Sequence, residues 1–290
     1  MTSRPLWEIG AQGTELGVSP ESFVPSSQAL GRTVAAVRRC TTCGHAAVVE
    51  LPSPEEINGA YSDAIDEVSL REEAGQVETG HRLLLLLEKF VEPGTFLDVG
   101  AWTGSLVEAA RQRGWKARGL EPSEWAVSRA RERGLDVVSS TFEDAAIEAR
   151  SLRGLAMCDV LEHLADPAAA LAHARGLVQP HGGLVLTVPD AGSPLARVLG
   201  RRWWSVLPMH LQYFTRGSMD LLLRRTGWEP VLTRSHPKVF TVRYYAERVA
   251  GYAPSAADAL TRATARLGLA DRLMAPNFFD RMMIVALPRD

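Results

Sequence analysis

The stretch Phe96-Leu97-Asp98-Val99-Gly100-Ala101-Trp102-Thr103-Gly104 decides the fold of this chain. Phe96, Leu97 and Val99 have the apolar density of a short buried strand. Gly100 and Gly104 bracket a tight turn, and residues 105–113 continue with helical spacing. A strand end, a bare turn and a helix N-terminus together make a surface for a nucleoside-bearing ligand. Asp98 stands before the first glycine, and Glu121, 23 residues later, closes the next strand-like segment, 116–121.

Working outward, the apolar pattern predicts strands over 95–99, 116–121, 135–139, 154–160 and 183–188. It predicts helices over 104–113, 123–133, 167–178 and 216–226. Two more strand-like pieces, 228–234 and 282–287, flank a helical insertion of roughly 240–275, long enough to serve as a lid. Upstream, residues 79–91 place Leu83, Leu84, Leu87 and Phe90 on one helix face, and Pro93-Gly94 stops them. Ser53-Pro54-Glu55-Glu56 is a helix start, and 19–27 reads as a loop. The fold class expected is α/β: a Rossmann-like, doubly wound, mostly parallel seven-stranded sheet with an N-terminal extension and a helical insertion between the last two strands. The expected division is 1–75 for the extension, 76–235 for the core, 236–279 for the insertion and 280–290 for the last core strand.

The bulk numbers narrow the function. With 290 residues, 46% hydrophobic, the chain has enough apolar material for one large core, which excludes wholesale disorder. A net charge of −2 does not point to nucleic acid or an anionic membrane as the main partner. Three cysteines, Cys40, Cys43 and Cys158, do not make a disulfide framework. Residues 1–8 lack the apolar core of a signal peptide, and the longest apolar run, Leu83–Leu87, is too short to span a bilayer. A cytoplasmic protein without membrane insertion, as monomer or homodimer, is expected.

Two cofactors compete for the glycine turn. A dinucleotide site needs its second glycine bare so that backbone can approach a pyrophosphate, and here that position is Trp102. Asp98-x-Gly100-x-x-x-Gly104 instead suits a ligand with a cationic centre and no phosphate, with Asp98 meeting an amino-acid end and Glu121 two ribose hydroxyls. S-adenosyl-L-methionine has these features.

Four motifs occur in order: Leu97-Asp98-Val99-Gly100-Ala101-Trp102-Thr103-Gly104, Gly119-Leu120-Glu121-Pro122-Ser123, Asp159-Val160-Leu161-Glu162-His163-Leu164 and Leu177-Val178-Gln179-Pro180-His181-Gly182-Gly183-Leu184. On them, residues 95–189 resemble the class I S-adenosylmethionine-dependent methyltransferases, in particular the small-molecule branch with the ubiquinone-biosynthesis O-methyltransferases. The likeness extends over 204–228, through Pro208-Met209-His210-Leu211-Gln212-Tyr213-Phe214-Thr215. The resemblance implies that Trp102 and Thr103 line the methionine end by backbone, that Phe142 and Glu143 flank the adenine, and that Cys158 and Asp159 lie under the sulfonium. Gly100, Ala101, Gly104 and Pro122 complete the implied cofactor set.

Methyl transfer is a displacement that mainly needs alignment and exclusion of water, with a base where the nucleophile is a hydroxyl. His210 and His163 are the candidate bases, with Tyr213 lending a hydroxyl; His163 serves equally well as a turn-building residue. Trp203, Trp204, Tyr213 and Phe214 either stack on an acceptor ring or pack a lid. Cys40-Thr41-Thr42-Cys43-Gly44 is half of a zinc ribbon, and Pro54-Glu55-Glu56 to Tyr61 matches the segment C-terminal to such ribbons in relatives. His45 is a third candidate ligand without a fourth, so a metal-free remnant is expected, and no metal elsewhere. The functional expectation is methyl transfer to a small-molecule acceptor, at a hydroxyl of a secondary metabolite, sugar, lipid or quinone. Its alternatives are C- or N-methylation on the same fold, an NAD-type oxidoreductase, and a non-catalytic cofactor-binding module.

Overall fold

The computed structural model describes residues 3–5, 19–20, 24, 27 and 29–289. Most of residues 1–8, and most of the loop expected over 19–27, lie outside these described residues.

The chain opens with β1 (Ser3–Pro5), β2 (Val37–Cys40) and β3 (Ala46–Val48), paired antiparallel. Then come α1 (Pro54–Ser62), α2 (Glu67–Leu70) and α3 (Glu73–Leu87). Ser53 starts α1 with a full capping box: its hydroxyl accepts from the Glu56 amide, and the Glu56 carboxylate accepts from the Ser53 amide. The third helix begins at Glu73, well before the expected 79, because Gly75 and Gly80 mask its period. Gly80 is needed for close approach: a Cβ there would stand 2.9 Å from the Ala109 Cβ on the next helix.

The sheet then builds as expected. Strands β4 (Thr95–Val99), β5 (Lys116–Glu121), β6 (Val137–Ser139), β7 (Leu152–Cys158) and β8 (Val178–Pro189) alternate with α4 (Ser105–Gln112), α5 (Glu124–Glu132) and α6 (Pro167–Leu177). After α7 (Pro194–Leu199) come β9 (Gln212–Tyr213), α8 (Arg216–Arg225) and β10 (Trp228–Ser235). The insertion consists of β11 (Phe240–Thr241), α9 (Val242–Arg248), α10 (Pro254–Arg266) and β12 (Leu273–Met274), and β13 (Arg281–Pro288) returns to the sheet. The seven-stranded order is β10-β13-β8-β7-β4-β5-β6, parallel from β8 to β6, with β13 antiparallel to both neighbours. This is the Rossmann-like sheet read from the sequence. The fourth sheet segment ends at Cys158 because Asp159 turns to φ +58°. The fifth starts at Val178, where a pairing with Leu152 is hidden by Pro180 and two glycines.

Helices cover both faces. Leu155, Met157, Leu184, Leu186 and Trp228 pack on one side, Leu84, Leu87, Phe96 and Trp115 on the other. Burying each such side chain contributes about 1.5–3 kcal/mol. The indole N–H of Trp228 is satisfied by the Leu171 carbonyl at 2.9 Å, that of Trp115 by Glu88 at 3.0 Å. The short strand β9 does not join this sheet. It pairs with β3, Tyr213 opposite Ala46, and so ties the loop after β8 to the N-terminal strands.

Candidate active site

At the carboxyl ends of the parallel strands lies a cavity of about 710 Å³, walled by the sheet edge, by α1–α3 and by the insertion. Its first half is built at the ends of β4 and β5. The turn after β4 requires glycine at Gly100, which has φ +71° and would meet Val160 at 2.7 Å with a Cβ. The amides of Gly100 and Ala101 both donate to the Leu120 carbonyl at 2.9 Å, which locks the turn against β5. Trp102 adopts φ +47°, rare for a side chain of that size, and three contacts hold it there. Its amide donates to the Glu121 carboxylate at 2.8 Å, its indole N–H to the Ser69 hydroxyl at 2.9 Å, and its ring lies 5.7 Å from that of Trp125. The tryptophan is a strut between the turn and α2.

Asp98 and Glu121 are both buried, and among the described residues neither is ion-paired. Glu121 accepts from the amides of Trp102 and, at 2.9 Å, Ser123. Burial pushes its carboxyl up to about 7, although those amides pull the other way. Burial, and then the neighbouring Glu121, push Asp98 well above the usual carboxylate range. Two adjacent buried acids without a cation fit a ligand that brings its own positive charge and hydroxyl donors, which S-adenosylmethionine does. Pro122, Phe142, Glu143, Cys158, Gly100, Ala101, Trp102 and Thr103 line the same half. Gly104 does not: it sits behind the turn as the N-cap of α4, against Leu135. Burial pushes the Cys158 thiol up, so it stays neutral under the strand ends.

The other half is assembled from distant segments. Asp159, at φ +58°, carries ion pairs to Lys238 at 2.5 Å and to Arg281. Burial opposes its charge, but Arg281 and then Lys238 outweigh it and hold the carboxyl well below its ordinary range. Beside it, the 3₁₀ turn Leu161–His163 presents Glu162 and His163, and the loop before β9 presents His210. The two imidazole rings meet edge to face at 4.9 Å. Nδ1 of His163 faces the Met209 carbonyl at 3.0 Å and Nδ1 of His210 the Ser205 carbonyl at 2.7 Å. A carbonyl only accepts, so Nδ1 carries the proton in each neutral ring and Nε2 keeps its lone pair. Burial pulls His163 down to about 4, and burial together with the neighbouring His163 pulls His210 down to about 3. Both are desolvated, neutral imidazoles beside the Asp159 ion pairs.

Tyr213 is not part of this group. It lies on β9, buried in the cluster of the N-terminal sheet and outside the cavity wall, because pairing with β3 turns it away from His210. Trp203 and Phe214 are likewise fully packed, the former donating to Asp280 at 2.8 Å, whereas Trp204 reaches the cavity and meets Phe278 edge to face at 5.2 Å. The Cys40–Cys43 hairpin lies away from the cavity wall, and His45 Nε2 pairs with Gln212 at 3.0 Å.

Sequence reasoning missed three charged side chains of the second half. Lys238 precedes the insertion, Arg281 opens the last strand, and both reach Asp159 from far along the chain. Glu162 was legible only as part of a motif, yet it is buried, with Oε2 unpartnered. Among the described residues, Glu162, His163 and His210 form the one group whose ligand atoms lie within 4.8 Å of one another, close enough to hold a metal ion. The insertion closes the cavity with Phe240, Tyr244 and Tyr245, the first two stacked at 4.0 Å.

Comparison with known proteins agrees with this fold. A family model described as a methyltransferase domain matches residues 71–233. An uncharacterized protein of Mycobacterium tuberculosis is 27% identical over 222 residues, covering 76% of this chain and 67% of that one. A ubiquinone biosynthesis O-methyltransferase of Vibrio campbellii is 37% identical over 112 residues, 35% of this chain and 47% of its own. The crystal structure of a Burkholderia thailandensis 1,6-didemethyltoxoflavin-N1-methyltransferase, with that acceptor and S-adenosylhomocysteine bound, superposes with a TM-score of 0.52 at 15% identity. That match spans 87% of this chain and 99% of the other, and it shows the shared fold.

Proposed function

Because this chain belongs to the methyltransferase-domain family, as a class I S-adenosylmethionine-dependent methyltransferase, we propose that it methylates a hydroxyl oxygen of a small, partly apolar acceptor. The observation that carries the choice of oxygen is the pair of neutral imidazoles, His163 and His210, with Nδ1 held by backbone carbonyls and the opposite nitrogens available to a hydroxyl. An acceptor nitrogen or carbon would draw less from two bases so placed.

S-adenosylmethionine supplies an electrophilic methyl on its sulfonium when bound. In this reading Asp98 meets its ammonium, Glu121 its ribose hydroxyls, and Phe142 and Glu143 flank the adenine. Gly100, Ala101, Trp102 and Thr103 contribute backbone, and Pro122, Cys158 and Asp159 shape the floor. His210, backed by His163, orients the acceptor hydroxyl and takes its proton as the oxygen–carbon bond forms and the carbon–sulfur bond breaks. Lys238 and Arg281 keep Asp159 ionised and fixed, so its carboxylate does not compete for that proton. The aromatic wall of Phe240, Tyr244, Tyr245 and Trp204 excludes water and favours a quinone, lipid or polyketide-like acceptor over a free sugar.

A radiolabelled methyl-transfer screen over phenols, hydroxylated lipids and glycosides tests the reading, with alkaline hydrolysis afterwards to distinguish ethers from esters. His210→Ala should lower turnover at least about a hundredfold while S-adenosylhomocysteine binds as before. Methylation confined to amine acceptors, or full turnover in His210→Ala, overturns it.

A further inference from the structure

We propose that Lys238 and Arg281 form a subsite for a carboxylate carried by the acceptor, so that the substrate is an apolar or aromatic hydroxy acid. Its use in catalysis rests on the methyl-transfer reading above; the binding of an acid does not. Both side chains stand in the cavity wall, and both are ion-paired to Asp159. In direct contact, one carboxylate therefore faces two cations, and one positive charge is left over. A surplus charge in a poorly hydrated wall is unfavourable until an anion joins it.

The guanidinium of Arg281 is only partly committed. Nη1 meets Asp159 and Nη2 donates to the Thr187 hydroxyl, while Nε is buried and, among the described residues, has no acceptor. A buried N–H without an acceptor forfeits the hydrogen bond that water would give it, and a carboxylate oxygen restores that bond with the help of charge. The neighbouring groups do not cancel the surplus. Burial, and then Asp159, hold the Glu162 carboxyl well above the ordinary carboxylate range, so it is neutral. His236, in the same wall, is pulled down to about 4 by burial and then by Arg281, and it is neutral too. Asp280 turns its Oδ2 to the Trp203 indole at 2.8 Å, and among the described residues it forms no ion pair with Arg281.

Lys238 opens the insertion beside its aromatic wall. The Tyr245 hydroxyl donates to the Lys238 carbonyl at 3.0 Å, and the ammonium stands 5.8 Å from the centre of the Phe240 ring. A cation set against aromatic rings selects an acid whose body is apolar or aromatic. One surplus charge matches a carboxylate, whereas a phosphate monoester, close to doubly charged, exceeds it. Asp159 lies just past β7, next to the turn that carries His163, and the charges of Asp159 and Lys238 both act on His210. An acid anchored on the two cations is thus a neighbour of the imidazoles. Its carboxylate oxygens are engaged, so the hydroxyl is the nucleophile. The hydroxyl proton passes to His210, the oxygen–carbon bond forms, and the sulfur keeps the electron pair of the broken carbon–sulfur bond. The product is an ether that retains its free acid.

The test is calorimetry on the full chain with S-adenosylhomocysteine bound, which keeps acids out of the cofactor half. The probes are salicylate, mandelate and hydroxynaphthoate, each paired with its methyl ester, together with phenyl phosphate. At least one acid should bind about tenfold or more tighter than its own ester, the worth of one charge-assisted pair. Lys238→Met should cut that preference below about threefold, Lys238→Arg should restore it, and S-adenosylhomocysteine affinity should hold in both. No acid bound more tightly than its ester, phenyl phosphate preferred over the acids, a preference undiminished in Lys238→Met, or a methyl ester formed from an acid probe overturns the subsite. If Lys238→Met does not fold, the comparison of acids with esters on the unmodified chain decides. S-adenosylhomocysteine also separates the two readings. Its binding without any preference for acids sinks only the subsite, and no binding to folded protein sinks the methyltransferase reading itself.

Discussion

Acids stand at three neighbouring strand ends, and the protein treats them in opposite ways. Asp98 and Glu121, at the ends of β4 and β5, are buried with no cation among the described residues. Asp159, just past the end of β7, is clamped by Lys238 and Arg281. A buried charge costs several kcal/mol unless something compensates it. Where the chain supplies the compensation, the acid is part of the scaffold. Where it withholds it, the acid is set up for a ligand that brings the missing charge.

The sharpest way to break this contrast is to neutralise one acid of each kind. Asp159→Asn leaves Lys238 and Arg281 facing each other without an anion, and should cost about 2–3 kcal/mol of stability in urea unfolding. Asp98→Asn should cost no stability, or add some, while S-adenosylhomocysteine affinity measured by calorimetry falls about tenfold to a hundredfold. Equal destabilisation by the two substitutions would erase the distinction. Glu121→Ala should weaken cofactor binding by about 2 kcal/mol, because it removes the proposed ribose acceptor and frees the Trp102 amide at once.

A pH series sharpens the same contrast. Glu121 sits at about 7 in the free protein and Asp98 is raised with it, so both hold protons that a cationic ligand must displace. Cofactor affinity should therefore climb with pH, up to about tenfold per unit for each proton released, and level off once the free acids ionise. For folding the sign is reversed. A carboxyl raised above its unfolded value lets the unfolded chain ionise first, so stability without ligand should fall between the ordinary carboxylate range and about 7. Asp159, held low by its partners, works the other way: the stability it adds is present above the unfolded carboxylate range and is lost only in strong acid. The smallest effect belongs to Trp102→Gly. The amide that meets Glu121 survives, so cofactor affinity should change only a few-fold, and proteolysis near Ser69 should report the lost strut.

The same contrast explains what was legible in the sequence. Asp98, the glycine turn and Glu121 fall within 24 consecutive residues, and strand periodicity, turn chemistry and motif order all bear on them. The sheet was readable for the same reason, with its edges misjudged where Asp159 breaks β7 early and Val178 pairs unexpectedly. The acceptor half has no such local record. Arg281 reaches Asp159 across 122 residues of chain, and no pattern within one segment encodes that pairing. The two-residue strand β9 is too short to leave a period, so His210 was expected at the cavity but nothing foretold that Tyr213 would be carried away from it into the N-terminal sheet. Glu162 was visible in its motif, but the histidine next to it drew the chemical reading.

The clamp on Asp159 also sets an order of events during synthesis. Its counter-charges arrive with Lys238 and with the strand that closes the sheet, long after the ribosome has released β7. Until then a nascent chain can shape the crevice at β4 and β5 but carries an unshielded anion at Asp159. Such late, long-range contacts slow folding and lengthen the exposure of β8, whose partner strand is still missing. Ribosome-stalled chains ending between those two strands should therefore be more protease-sensitive at β8 than chains that include β13.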